Sequence, residues 1–126
     1  MFETEKDKYL MKHGFGATSL KAVLFDMDGV LFDSMPNHAY SWSHAMTQFG
    51  LHITPEEAYM HEGRTGGGTI DLLAQRCWGR KATEEEKQTI YKAKSDVFSR
   101  CPEAPQMPGA YELLKKVKAG GFTPMV

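Results

Sequence analysis

Cysteine is scarce in this chain of 126 residues: only Cys77 and Cys101 are present, far apart and without C-x-x-C spacing. Neither a metal knuckle nor a disulfide framework follows from two such residues. Buried or reduced thiols in a cytoplasmic setting are the default expectation. No apolar run approaches the length of a membrane span, and the charged opening residues lack the apolar core of a signal peptide. Charge of one sign is also missing, since 15 Lys and Arg stand against 16 Asp and Glu, for a net charge of −1 and a pI near 6.5. That balance gives no electrostatic reason to expect nucleic acid or an anionic membrane as partner. His44, His52 and His61 show no metal-ligand spacing with cysteine or with one another. The composition, 41% hydrophobic and 25% charged, is that of an ordinary soluble protein. The length suits one domain, or a small domain plus part of another.

The stretch Lys21–Ser34, KAVLFDMDGVLFDS, organises the rest. Ala22 to Phe25 is a short apolar run with branched and aromatic side chains, the pattern of a buried strand. Asp26 then stands at the strand's carboxyl end, where open α/β sheets bind their ligands. Continued in strand geometry, Asp26 and Asp28 share a face. Gly29 permits a sharp turn, so the amides after Asp26 can point at a bound anion. An EF-hand loop also contains D-x-D, but it needs a third acidic ligand before its glycine and a preceding helix. Here Gly29 comes too early and a strand precedes. The plain alternative is that the aspartates only shape a turn.

Asp26-Met27-Asp28-Gly29-Val30-Leu31-Phe32-Asp33-Ser34 resembles the first motif of the haloacid dehalogenase superfamily, in its β-phosphoglucomutase-like branch. The resemblance implies an α/β fold, a Rossmann-like core carrying an inserted all-helical cap. It implies that Asp26 is the nucleophile that forms an aspartyl phosphate, and that Asp28 is the general acid and base. It further implies Mg²⁺, held by Asp26 and Asp28, and a substrate phosphoryl group received by the amides of Met27 and Asp28.

Downstream, Pro36 marks a helix start. Trp42, Ala45, Met46 and Phe49 recur at helical spacing before Gly50. Thr54-Pro55-Glu56-Glu57 and Thr83-Glu84-Glu85-Glu86 both have the form of a capping box. Helices are expected through Ile70, Leu73 and Cys77 to Gly79, and through Ile90, Val97 and Phe98. Four helical segments over residues 36–100 read as a compact all-helical insert, the cap in the family's terms. Residues 21–35 and 101–126 then belong to the core, and residues 1–20 form an N-terminal extension, a short helix or a mobile tail. Three prolines between Cys101 and Pro108 mark the linker back, Pro108–Val117 reads as an amphipathic helix, and Phe122–Val126 begins a second core strand.

His61-Glu62-Gly63-Arg64-Thr65-Gly66-Gly67-Gly68-Thr69 lies between two cap helices. Its glycines allow close backbone approach to a ligand, and Thr69 is a candidate cap for the next helix, whose N-terminus favours anions. Arg64 can clamp a phosphate bidentately. Glu62 would repel an anionic substrate unless a cation lay between them, which suits a small, highly charged substrate such as pyrophosphate. A surface turn with a solvated Arg64 and a helix-ending Glu62 is the plain alternative. No Lys-Ser or Lys-Thr follows the glycines, so a P-loop is excluded. His38 stands at the first cap helix, where orienting Asp28 or substrate and a plain hinge or capping role are equally open. Ala58–Gly66 resembles the cap of Bacteroides-type members of the branch, some relatives of which are Mg²⁺-dependent inorganic pyrophosphatases.

The resemblance also implies a Thr or Ser phosphate ligand, a Lys and an acidic metal-binding pair after the second strand, and none of these motifs is present. Two parallel strands leave long unpaired edges. The expectation is therefore a fragment of a longer enzyme, inactive by itself. Hydrolysis of pyrophosphate or a small phosphate ester is the favoured activity, and Glu62 would join Asp26 and Asp28 around the cation as a selector. A β-phosphoglucomutase interconverting β-glucose 1-phosphate and glucose 6-phosphate is the alternative, and an inactive binding remnant is a third reading. A monomer acting in the cytoplasm on a small phosphorylated substrate is expected.

Overall fold

The structure is a computed structural model that describes residues 2–16 and 19–126. Helix α1, Phe2–His13, has Glu3 and Glu5 in its first turn and Lys12 and His13 in its last, each sign set against the matching end of the helix dipole. Strand β1, Ala22–Leu24, follows, then helices α2 (Met35–Thr47), α3 (Pro55–Met60), α4 (Gly66–Trp78), α5 (Glu84–Phe98) and α6 (Ala110–Ala119), and strand β2, Thr123–Met125. The strands pair in parallel, Ala22 opposite Thr123 and Leu24 opposite Met125. The ladder extends one residue further, since the Phe25 amide donates to the Met125 carbonyl at 2.8 Å. Everything between the strands is helix and connection, which fits an α/β crossover of the parallel type. Helix α6 lies against β2 and buries Val117.

Helix α2 packs on α3 and α5, and α4 packs on α5. Met46, Leu51, Ile70, Leu73 and Ile90 are fully or almost fully buried in the centre of this cluster. Helical periodicity put Met46, Ile70, Leu73 and Ile90 there, each facing inward on its own helix, while Leu51 enters from the connection between α2 and α3. Thr83 and Glu86 form the complete capping box at α5, each side chain bonded to the other residue's amide. At α3 the box is only half built. Thr54 accepts from the Glu57 amide, but the Glu57 carboxylate turns to Arg76 and His61 instead.

Other local expectations need correction. Met35 is already helical, and α2 stops at Thr47, so Phe49 lies past its end. The triple glycine is not an open loop but the first turn of α4. Thr65, not Thr69, is the cap there, accepting from the Gly68 amide at 3.2 Å, while Thr69 is buried inside the helix. The glycine at position 66 has a tertiary reason as well. A Cβ built on Gly66 would fall 2.4 Å from the ring of Tyr91 on α5, so glycine is needed for the two helices to approach. Both cysteines are free thiols, Cys77 exposed and Cys101 half-buried.

Candidate active site

Strand β1 ends at Leu24, so Asp26 and Asp28 are not successive inward positions of one strand; residues 26–32 form a tight, self-bonded turn instead. The Met27 carbonyl accepts from the amides of Val30, Leu31 and Phe32, and the Gly29 amide donates to the Phe32 carbonyl at 2.8 Å. Gly29 has φ +73, a left-handed value, and a Cβ there would make only ordinary contact with Met35. Backbone conformation rather than space thus calls for glycine. The turn is tied to the returning linker. Asp33 donates from its amide to the Pro105 carbonyl at 2.8 Å, and Met107 donates to the Leu31 carbonyl at 2.9 Å.

Asp26 is exposed, and its Oδ1 accepts from the following amide, that of Met27, at 2.9 Å. This amide, expected to face a phosphoryl group, is occupied by the neighbouring carboxylate. Met27's own side chain is half exposed. Asp28 is held from two sides. The buried Ser34 hydroxyl donates to its Oδ1 at 2.5 Å, and His38 Nε2 lies 3.4 Å from the same oxygen. Ser34 occupies the N-cap position of α2 with helical rather than extended backbone angles and makes no side-chain cap bond; its hydroxyl donates to Asp28 instead. His38 therefore does face Asp28.

Behind His38 stands Lys94 of α5, whose Nζ is 3.0 Å from His38 Nδ1. Lys94 is 6% exposed and sits over the rings of Phe98 at 4.6 Å and Trp42 at 5.5 Å. An ammonium can only donate, so it fixes Nδ1 as acceptor and puts the proton of a neutral imidazole on Nε2, toward Asp28. The Ser34 hydrogen bond, aided by the nearby His38 ring and by the charge of Lys94, holds the Asp28 carboxyl below its ordinary range against some opposing desolvation. Burial pushes the Lys94 ammonium down, opposed chiefly by the negative charge of Asp28. In this state Asp28 is a carboxylate, ready to accept a proton, and the row Lys94–His38–Asp28 joins helix α5 to the turn.

Glu62 and Arg64 are exposed in the turn between α3 and α4, where Gly63 has φ +78. Glu62 is near enough to Lys94 to favour its charged form. Arg64 runs its aliphatic stem past Gly68. Among the described residues no group of three or more His, Cys, Asp or Glu side chains is arranged to hold a metal ion, so Asp26, Asp28 and Glu62 are not gathered into one.

Sequence reasoning missed Lys94 and gave Ser34 no role. A signal for Lys94 was available, because Ile90, Lys94 and Val97 fall at helical spacing on the apolar stripe of α5. A lysine on such a stripe is unusual enough to ask for a partner. Ser34 carried no comparable signal, since a serine before a helix reads as an ordinary cap.

The model of the haloacid dehalogenase-like hydrolases matches residues 20–126. The chain belongs to that family. Among similar solved structures is one described as a "putative beta-phosphoglucomutase" from Bacteroides vulgatus, 58% identical, with a TM-score of 0.87 over 95% of this chain and 49% of that one. The β-phosphoglucomutase of Clostridium difficile, 22% identical with a TM-score of 0.71 over 84% of this chain and 50% of that one, shares the fold. A curated phosphoglycolate phosphatase of Haemophilus influenzae is 29% identical over 113 residues, 83% of this chain and 50% of its own length. The chain thus spans about half the length of these relatives. Within the family frame, the described helices are short of any membrane span: none is long and apolar enough to cross one.

The family implies Mg²⁺. The chemistry of the donors suits it, because Mg²⁺ takes hard oxygens and needs only one or two carboxylates beside water and substrate phosphate. Asp26 is an exposed carboxylate at the strand end, whereas the Asp28 side chain is already engaged by Ser34 and His38.

Proposed function

We propose that the natural protein catalyses Mg²⁺-dependent phosphoryl transfer through an aspartyl phosphate on Asp26, and hydrolyses pyrophosphate or a small phosphate ester in a reducing, cytoplasmic setting. One observation carries the reading: two aspartates in one turn have been given opposite environments. Asp26 is exposed and bonded only to its neighbouring amide, as a nucleophile must be to reach a substrate. Asp28 is fixed by Ser34 and His38, as a proton carrier must be to meet a leaving oxygen.

Asp26 and the main-chain carbonyl of Asp28 would hold the cation, which neutralises charge on the transferring phosphoryl group when bound. Asp26 attacks phosphorus in line. The Met27 amide exchanges its bond to Asp26 for one to the incoming phosphoryl oxygens. Asp28, a carboxylate in this structure, first takes up a proton from solvent, passes it to the leaving oxygen as the bond to phosphorus breaks, and takes one back from the attacking water in the second half-reaction. His38 keeps Asp28 in place, and Lys94 behind it supplies positive charge near an anionic substrate. Glu62 and Arg64 act as selectors from the cap, Arg64 on the substrate's phosphate and Glu62 through the cation.

Asp26→Asn removes the nucleophile while keeping shape, so turnover should fall by about three orders of magnitude or more with folding intact. Circular dichroism and phosphate release measured on the full-length natural protein decide this, and substantial residual activity would exclude covalent catalysis. The name of the Bacteroides vulgatus relative favours a second reading, a β-phosphoglucomutase. Conversion of β-glucose 1-phosphate to glucose 6-phosphate, outpacing release of phosphate, would select it.

A further inference from the structure

The turn that carries Glu62 and Arg64 is bracketed by helices that pack on different partners, α3 on α2 and α4 on α5. A single side chain ties the bracket together. Arg76, in the last turn of α4, donates from both terminal nitrogens to the Glu57 carboxylate of α3, Nη2 reaching Oε2 at 3.3 Å. The same Nη2 also donates to the His52 carbonyl just ahead of α3. Glu57 in turn faces His61, whose Nε2 is 3.6 Å from Oε1 and buried without a hydrogen-bond partner. His61 caps the end of α3 and directly precedes Glu62. Arg76 therefore grips α3 before its first turn through His52 and in its first turn through Glu57, whose carboxylate stands beside His61 at the helix's end.

We infer that Arg76 is a positioning residue for the Glu62–Arg64 turn, setting through Glu57 and His61 where the cap's selector groups stand. The inference rests on the selector reading given above, but the clamp itself does not. A planar guanidinium is needed, because only a fork can serve a carboxylate and a carbonyl together. The guanidinium beside Glu57 also holds that carboxyl below its ordinary range, so the clamp stays charged at neutral pH. Half exposed, the pair adds little to overall stability. Its effect is local, on a turn whose own anchors are two backbone bonds, Glu62 to the Tyr59 carbonyl and Arg64 to the His61 carbonyl, at 3.2 and 3.1 Å.

The test uses Arg76→Met and Glu57→Gln in the full-length natural protein, with Glu62→Gln as reference. Hydrogen exchange of the Glu62 and Arg64 amides should quicken by about tenfold in both clamp variants while amides of α5 stay protected. KM for pyrophosphate should rise by about 3- to 10-fold with kcat within twofold, and hydrolysis of a monoester should move less. Arg76→Lys should fall between, since it can pair with Glu57 but not hold His52 as well. Unchanged exchange in the turn, or equal changes throughout the cap, would make Arg76 a plain strut and overturn the inference. Should Glu62→Gln leave the ratio of the two substrates untouched, the selector reading fails while the exchange result still judges the clamp. If Arg76→Met does not fold, the isosteric Glu57→Gln carries the same two measurements.

Discussion

The turn after β1 and the turn after α3 are both short, glycine-bearing and rich in charge, yet they are built on opposite principles. Residues 26–34 satisfy one another: Met27 takes three amides, Gly29 bonds Phe32, and Ser34 bonds Asp28. Residues 61–69 depend on partners far along the chain. Gly66 is set by Tyr91, and the arm holding α3 comes from Arg76. A turn closed on itself keeps its geometry when its surroundings change, whereas one held by distant side chains can be moved by them. That suits a division in which chemistry belongs to the first and choice of substrate to the second.

The sharpest way to break this contrast is at the side-chain link from the first turn to helix α5. Lys94→Met removes a desolvated charge from beside His38 and replaces it with an apolar side chain of similar length. Activity of the full-length protein should fall by about tenfold or more, as Asp28 loses both charge and orientation. Thermal stability should hold or rise, since burial opposes the ammonium. Equal losses of activity and stability would mean that Lys94 only supports the fold.

Next in size is the close approach in the second turn. Gly66→Ala places a methyl group against the Tyr91 ring and should destabilise by about 1–2 kcal/mol. In a Tyr91→Ala background the clash is gone, and alanine's helical preference, about 1 kcal/mol over glycine, should make the same substitution stabilising. Chemical denaturation of the four proteins reads the change of sign. The same sign in both backgrounds would show that Tyr91 does not dictate glycine.

The smallest expected effect tests closure of the first turn. Asp28 is held below its ordinary value of 3.8, chiefly by Ser34. A depressed carboxyl contributes stability that is complete above the unfolded value and lost as pH falls through the folded one. Ser34→Ala narrows that window, so acid unfolding followed by circular dichroism should begin at slightly higher pH than in the parent. No displacement would mean that Ser34 leaves Asp28 unaffected.

The sequence by itself determined the elements whose causes are local. The apolar run before Asp26, the Thr83–Glu86 box, the glycine stop at Gly79 and the three-proline linker all act within a few residues and stand where the pattern put them, although the strand made by the apolar run is not buried as expected, Leu24 being exposed. The family was legible for the same reason, because nine consecutive residues carry its first motif. Only the tertiary structure decided the rest. Glu57 abandons its own capping box for Arg76, 19 residues away, and Gly66 opens its helix against the ring of Tyr91. Lys94 reaches His38 across 56 residues. Such pairings depend on how helices pack, and packing is a property of whole faces meeting in space, which no window of neighbouring residues contains.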